Sequence, residues 1–189
     1  MHSVVALLAL LAPVGALNPL LARRSTVKFD ASAVPADVTQ RALAAAILAP
    51  NHFLSEPWRF YTCGPDTKAK LCGLNEDKRK AAEAVPEWLV VTVVSEHEID
   101  SKLGLEDHAA VACATQNFML SLAGDGVGSK WMTGALGAPP EDVLAAVGAP
   151  AGERLMGAIW YGNPAKALAD DNKAPPRKKG LDGVVTACP

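Results

Sequence analysis

Ala49-Pro50-Asn51-His52-Phe53-Leu54-Ser55-Glu56-Pro57-Trp58-Arg59-Phe60 is the stretch on which the reading of this chain turns. An alanine-rich helical pattern precedes it. A short aromatic strand, Trp58-Arg59-Phe60-Tyr61-Thr62, follows it. Pro50 stops the helix, because proline cannot donate a backbone hydrogen bond and crowds the preceding turn. The link to the strand is polar, yet it holds an asparagine, a histidine and two prolines. A plain connector has no need of that mixture. A rigid loop presenting Asn51, His52, Ser55 and Glu56 beside a packed scaffold is how many binding sites are built. The plain alternative is a proline-stiffened turn with one exposed histidine.

Outward from this stretch, the totals narrow the field. The chain has 189 residues, enough for one domain with a proper core and too few for two typical ones. Half the residues are hydrophobic and 20% are charged, an ordinary globular composition. A formal net charge of −2 leaves no domain-scale basic field for nucleic acid. Aromatics are only 5%, so the core must rest on Ala, Leu and Val. The four cysteines, Cys63, Cys72, Cys113 and Cys188, form no C-x-x-C pair, and no histidine sits at zinc-finger spacing from them. No metal site is therefore expected. A Cys63–Cys72 disulfide stays open, although buried thiols are the simpler reading.

Residues 1–16 read as a targeting segment. Val4 to Ala12 is an unbroken apolar run ended by Pro13, and the small residues of Val14-Gly15-Ala16 suit signal peptidase. The run is too short for a transmembrane helix of about 20 residues, so no stable membrane span is expected. A buried first helix is the alternative, but the run has no polar face and prolines at 13 and 19 follow closely. The expected destination is the secretory pathway or a plastid, or the cytoplasm if the leader is not functional. Residues 17–189 then form a single domain.

Arg23-Arg24-Ser25-Thr26-Val27-Lys28-Phe29 sets two guanidinium groups beside two hydroxyls. Arginine forks and hydroxyls are what a phosphate monoester requires, although an Arg pair is more often a solvated face. Val34-Pro35-Ala36-Asp37 opens a helix running to about Ala49, with Val38, Ala42, Ala45 and Ala46 on a small-residue face. Residues 65–84 read as one or two amphipathic surface helices without a catalytic signal. Trp88 to Val94 is nearly all apolar and β-branched, which predicts a central strand covered on both faces. Residues 105–123 predict the longest helix, apolar almost all round, with Glu106 and Asp107 in its first turn. Gln116 and Asn117 would be buried amides within it. Gly124, Gly126 and Gly128 break the helix, and Ser129 to Gly134 reads as a loop. A short helix over 140–147, a second apolar strand over 154–161 and a charged tail from 165 complete the chain.

Four of these stretches, in order, resemble the nitroreductase-like FMN-dependent flavoproteins. Arg23 to Phe29 is similar to the R-R-S-x-R-x-F opening of that family, with Val27 in place of the last Arg. Ala49-Pro50-Asn51-His52 with Pro57-Trp58-Arg59-Phe60 resembles its A-P-(D/S)-x…P-W-x-F segment, and the A-P-x-H form resembles the compact bacterial branch. Gly126-Val127-Gly128 with Trp131-Met132-Thr133-Gly134 resembles its G-x-G-x-x-W-x-(T/S)-G loop. Ile159 to Pro164 resembles its late strand ending in G-x-P.

The resemblance implies an α+β fold, a mixed and largely antiparallel central sheet flanked by helices, built as an intertwined homodimer with FMN at the interface. Carried over residue by residue, Arg23, Arg24 and Ser25 would hold the phosphate and ribityl region. His52 would approach the flavin as an orienting residue, Glu56 would touch the same cofactor, and Trp131, Met132 and Thr133 would supply contacts from the glycine loop. Ser121, Leu122, Ala123, Gly124, Asp125 and Gly126 would lie near the nicotinamide approach. Arg177, Lys178 and Lys179 compete for a contact to the phosphate. The implied activity passes hydride from NADH or NADPH to FMN and then electrons to an electron-poor acceptor such as a quinone or nitro compound. Glu56, where compact relatives often have Gln, Met132 and a short segment between the Trp58 and Trp88 strands depart from the family pattern. They motivate one alternative, a flavin-binding module without turnover; another flavin reaction on the same fold, such as dehalogenation or flavin breakdown, and a purely structural protein stay open beside it.

Overall fold

The chain is described here by a computed structural model covering residues 17–134, 137–169, 178–180 and 183–188. The expected leader over residues 1–16 and the tail residue Arg177 lie outside the described residues.

The centre is a four-stranded sheet. Its strands are β1 (Trp58–Thr62), β2 (Glu87–Val93), β3 (Gly128–Met132) and β4 (Arg154–Gly162), in the order β1-β2-β4-β3. All three ladders are antiparallel. The parallel component is one isolated bridge between Ser25 and Ser129. β2 is central, as its unbroken apolar run predicts, and every residue after Glu87 is buried.

Side chains alternate across this sheet, so the core has two halves. Leu89, Val91 and Val93 of β2 enter one half with Ile159 and Tyr161 of β4. Helices α2 (Ala36–Ala46) and α5 (Lys102–Gly124) cover that half, with the single-turn α1 (Pro19–Ala22) ahead of them in the chain. Trp88 and Val90 enter the other half with Ala158 and Trp160, under α3 (Pro65–Gly73), α4 (Glu76–Glu83) and α6 (Pro140–Val147). The register between β2 and β4 shifts between Val91 and Thr92, skipping Met156. That bulge is why Met156 and Ile159 share a face although three residues apart. Gly157 follows the bulge at φ 148°, and a Cβ there would lie 2.7 Å from the indole nitrogen of Trp131, so the position requires glycine.

Four expectations change. The 65–84 segment does form two helices, but Leu71, Cys72 and Ala82 are fully buried, so it closes the second core half and is not a surface excursion. Ser129 to Met132 is an edge strand, because its main chain pairs with β4, and the loop begins only after it. Gln116 is exposed and Asn117 half-buried, donating to the Ala45 carbonyl at 3.3 Å. Helix α5 has one outward stripe where Leu105, Ala109, Cys113 and Gln116 recur at helical spacing. All four cysteines are free, and Cys113 and Cys188 are exposed. Burial pushes the Cys63 thiol up to about 11, which makes it a packing residue.

The fold positions two separated clusters. α2 runs antiparallel to α5: Arg41 meets Asp125 at 3.2 Å while Ala45 meets Asn117. The loop after α2 is thereby carried to the first half of α5.

Candidate functional site

The first cluster is the loop over residues 49–57. α2 ends at Ala46, and a final turn brings in buried Ala49 before Pro50. Asn51 staples the loop: its Nδ2 donates to the Ala49 carbonyl at 3.2 Å, and its Oδ1 accepts from the Glu56 N–H at 3.0 Å. Between those points His52–Leu54 makes a 3-10 turn, closed by the Ser55 N–H donating to the His52 carbonyl. Phe53, Leu54 and Glu56 have φ of 50°, 56° and 44°. Each left-handed non-glycine residue costs about 1 kcal/mol, and such strain persists only where the surroundings hold it.

Two adjacent carboxylates of α5 do the holding. His52 Nδ1 donates to Glu106 Oε2 at 2.5 Å. Ser55 Oγ donates to Asp107 Oδ1 at 3.0 Å, and Ser95 Oγ donates to Asp107 Oδ2 at 2.6 Å. Asp107 is only 7% exposed. The sequence expectation placed this pair in the first turn of the helix. Ser101 instead caps α5, accepting from the Gly104 N–H at 3.1 Å, so the helix starts earlier and both carboxylates sit in its second turn. There they bind side chains instead of complementing the helix dipole. Of the four residues expected to be presented, Asn51 and Ser55 hold the loop itself. His52 stacks on Phe53 with ring centroids 4.1 Å apart, and Phe53 is 90% exposed.

The second cluster gathers three stretches that lie far apart in sequence. Ser25 bridges to Ser129, and the Thr26 N–H donates to the Ser129 carbonyl at 3.0 Å. The approach is close: a Cβ on Gly128 would sit 2.5 Å from Thr26 Oγ1, so glycine is needed there. Further along, Asp30 N–H donates to the Asn163 carbonyl and Ala165 N–H to the Lys28 carbonyl. The arginine-bearing segment is thus laid along β3 and zipped to the end of β4. Beside it opens a cavity of about 430 Å³ in which Arg24, Thr26, Lys28 and Lys166 stand among the apolar Val27, Pro164, Ala165, Ala167 and Leu168; Arg23 and Ser25 are not in its lining. Ser129 Oγ is buried without a hydrogen-bond partner among the described residues. Three cations and one hydroxyl on the rim of a largely apolar cavity suit a ligand that joins a phosphate to an apolar body. Sequence reasoning assigned no role to Lys28 or Lys166; the available signal was that Lys28 lies inside one resembling motif and Lys166 two residues beyond another.

The remaining expected residues divide by exposure. Trp131 and Met132 are half-buried, packing against opposite halves of the core, while Thr133 is exposed. In the 121–126 stretch Leu122 and Ala123 are fully buried and face the core, so neither side chain is open to a ligand. Ser121 and Gly126 are partly exposed, Gly124 and Asp125 exposed, and Asp125 is paired with Arg41. Within one chain the two clusters do not meet. From Glu106 to Gly124 the helix rises about 27 Å at 1.5 Å per residue, with His52 at one end and Arg23 to Ser25 near the other.

This sheet order, with helices on both faces, is the nitroreductase-like fold. A model of the nitroreductase family matches residues 20–104. Three proteins illustrate the similarity, each named as a putative nitroreductase. The NAD(P)H nitroreductase YfhC of Bacillus subtilis is 29% identical over 174 residues, covering 83% of this chain and 88% of its own. The NAD(P)H nitroreductase YdjA of Escherichia coli is 26% identical over 164 residues, covering 79% of this chain and 88% of its own. The solved structure of a Desulfovibrio desulfuricans protein in complex with FMN has a TM-score of 0.74 at 21% identity, covering 94% of this chain and 99% of its own. The chain is thus similar to the nitroreductase family in sequence over its first half and in fold over nearly its whole length.

The comparisons overturn the secretory-pathway or plastid destination expected from residues 1–16. The curated relatives it matches are named as putative NAD(P)H nitroreductases of Bacillus subtilis and Escherichia coli, bacteria that have neither a plastid nor a eukaryotic secretory pathway. The reason for the misreading is that an apolar run with small residues after it does not by itself distinguish a leader. No helix among the described residues is long and apolar enough to cross a membrane.

Proposed function

We propose that this chain is an FMN-dependent NAD(P)H oxidoreductase of the nitroreductase class. The observation that carries the reading is the joining of Arg23 to Lys28 with β3 and the end of β4 beside a cavity that Arg24, Lys28 and Lys166 border. Arg23, Arg24 and Ser25, with Lys28 and Lys166, hold the phosphate and ribityl end. Trp131, Met132 and Thr133 flank the same ligand. Ser121, Gly124 and Gly126 border the nicotinamide approach. The chemistry FMN supplies when bound is two-electron transfer, hydride in from NADH or NADPH and electrons out to an electron-poor acceptor such as a quinone or nitro compound.

The working unit is a homodimer. His52 and Glu56 belong to the same site yet lie at the far end of α5, so a site using both clusters needs two chains. Leu105, Ala109, Cys113 and Gln116 form the outward stripe of α5, and Ile47, Leu48, Phe53 and Leu54 are more than half exposed beside it. An apolar surface of this kind marks an interface. A two-fold axis across the stripe sets one chain's His52 loop against its partner's Arg23–Ser25 segment. Residues 17–189 act as one domain in this arrangement.

The test is the visible absorbance of the purified protein before and after NADH or NADPH, with its mass measured in solution. A flavin band that bleaches in a dimeric protein supports the reading. A band that persists with both reductants favours a binding module, and a colourless protein that takes up no added FMN removes the cofactor.

A further inference from the structure

We infer that Glu106 is a positioning residue for His52 that decides which ring nitrogen carries the proton. This rests on the proposal that His52 faces bound flavin. The carboxylate of Glu106 offers only acceptors when ionised, so the Nδ1 that meets it at 2.5 Å must be the protonated nitrogen of the neutral ring. Nε2 is then a bare lone pair, with no partner among the described residues. A neutral His52 therefore accepts a hydrogen bond from a ligand at Nε2. It donates there only after the ring takes up a second proton, whose charge Glu106 balances.

The geometry around the pair is fixed from every side. Asp107, the next residue of α5, anchors Ser55, and Asn51 staples both ends of the turn. Lys102 Nζ lies 3.8 Å from Glu106 Oε1 one turn back on α5, holding the carboxylate from its other oxygen. The charged groups near His52 are thus Glu106, Lys102 and Asp107 of α5 and Glu56 of the loop. Stability cannot be the main role of the pair. The His52 and Glu106 side chains are 41% and 33% exposed, and ion pairs that open to water contribute little to folding. A carboxylate that fixes the tautomer of a functional imidazole acts on activity far more than on folding.

Two readouts on the full chain test this. Nitrogen-15 correlation spectra of the oxidised protein report the His52 tautomer directly, with no turnover needed. The expected result is Nδ1–H in the parent and in Glu106→Gln, which keeps an acceptor, and loss of that single tautomer in Glu106→Ala. Rapid-mixing flavin reduction should then be about ten-fold slower at saturating nicotinamide in Glu106→Ala, with FMN retention unchanged and partial rescue in Glu106→Gln. If His52 keeps Nδ1–H in Glu106→Ala, the positioning role is overturned whatever the flavin does. If the tautomer changes but reduction does not, Glu106 does set the proton while His52 is shown not to face the flavin. The failure of each idea is therefore separately visible.

Discussion

At the first half of α5 the chain fixes a loop through side chains; at its last turns it lays an extended segment along a strand edge. The loop end is made of carboxylates, a histidine, a serine and three left-handed residues, knotted by short hydrogen bonds. The other end is made of main-chain pairing and cations around an open cavity. The first arrangement gives orientation to one or two atoms. The second gives charge over a larger area and tolerates a bulky anionic ligand. A redox site that must hold a charged cofactor and also aim a proton-handling group needs both. Here they lie at opposite ends of one helix, and the proposed homodimer would bring one of each together.

The contrast predicts unequal responses. Asp107→Ala should be the most damaging single change, costing about 3 kcal/mol in urea unfolding, because it leaves the Ser55 and Ser95 hydroxyls without their buried acceptor. A loss below about 1 kcal/mol would mean that the loop is not held from α5. Arg24→Ala should weaken FMN retention by about ten-fold, equivalent to about 1.4 kcal/mol, with little change in melting. Undiminished flavin content after gel filtration would take Arg24 out of the site.

Leu54→Gly should stabilise the free chain by about 1 kcal/mol or less, since Leu54 is 79% exposed and its φ of 56° suits glycine. If flavin reduction falls while stability rises, the strain is there for function; destabilisation would show that Leu54 packs against something. Asp125→Ala, the open-end counterpart of Asp107, should cost under about 1 kcal/mol, since its pair with Arg41 is partly exposed. The same arginine holds Asp37 below the usual carboxylate range by a side-chain hydrogen bond. A depressed carboxylate contributes stability above its unfolded pKa and loses it as pH falls through the folded one. Arg41→Ala should therefore flatten the stability profile on the acid side of about pH 4, where Asp37 titrates in the unfolded chain, as read by urea midpoints across that range.

Much of the fold was legible because its signals are local. Trp58–Thr62, Pro140–Val147 and the buried run of β2 follow from strand and helix patterning, and the structure places them within a residue or so. Glycine content misled at Gly124 to Gly134: local breakers suggested a loop, but pairing with β4 made residues 128–132 a strand. Glu106 and Asp107 misled for the same kind of reason. Acidic residues near a helix start look like dipole partners, and nothing nearby in sequence says that a loop fifty residues earlier will come to rest on them. Lys28 and Lys166 became neighbours of one cavity only when the end of β4 was zipped to the arginine segment.

The sequence by itself determined most of the elements, the resemblance to a family and the two stretches that carry polar and charged side chains, because periodicity, proline placement and short motifs are properties of adjacent residues. Tertiary structure decided which of those residues meet. It tied His52 to Glu106, set the arginines against β3, and separated the two groups by the length of α5. Those outcomes depend on long-range strand register and on the antiparallel packing of α2 along α5, and no short stretch of chain carries either.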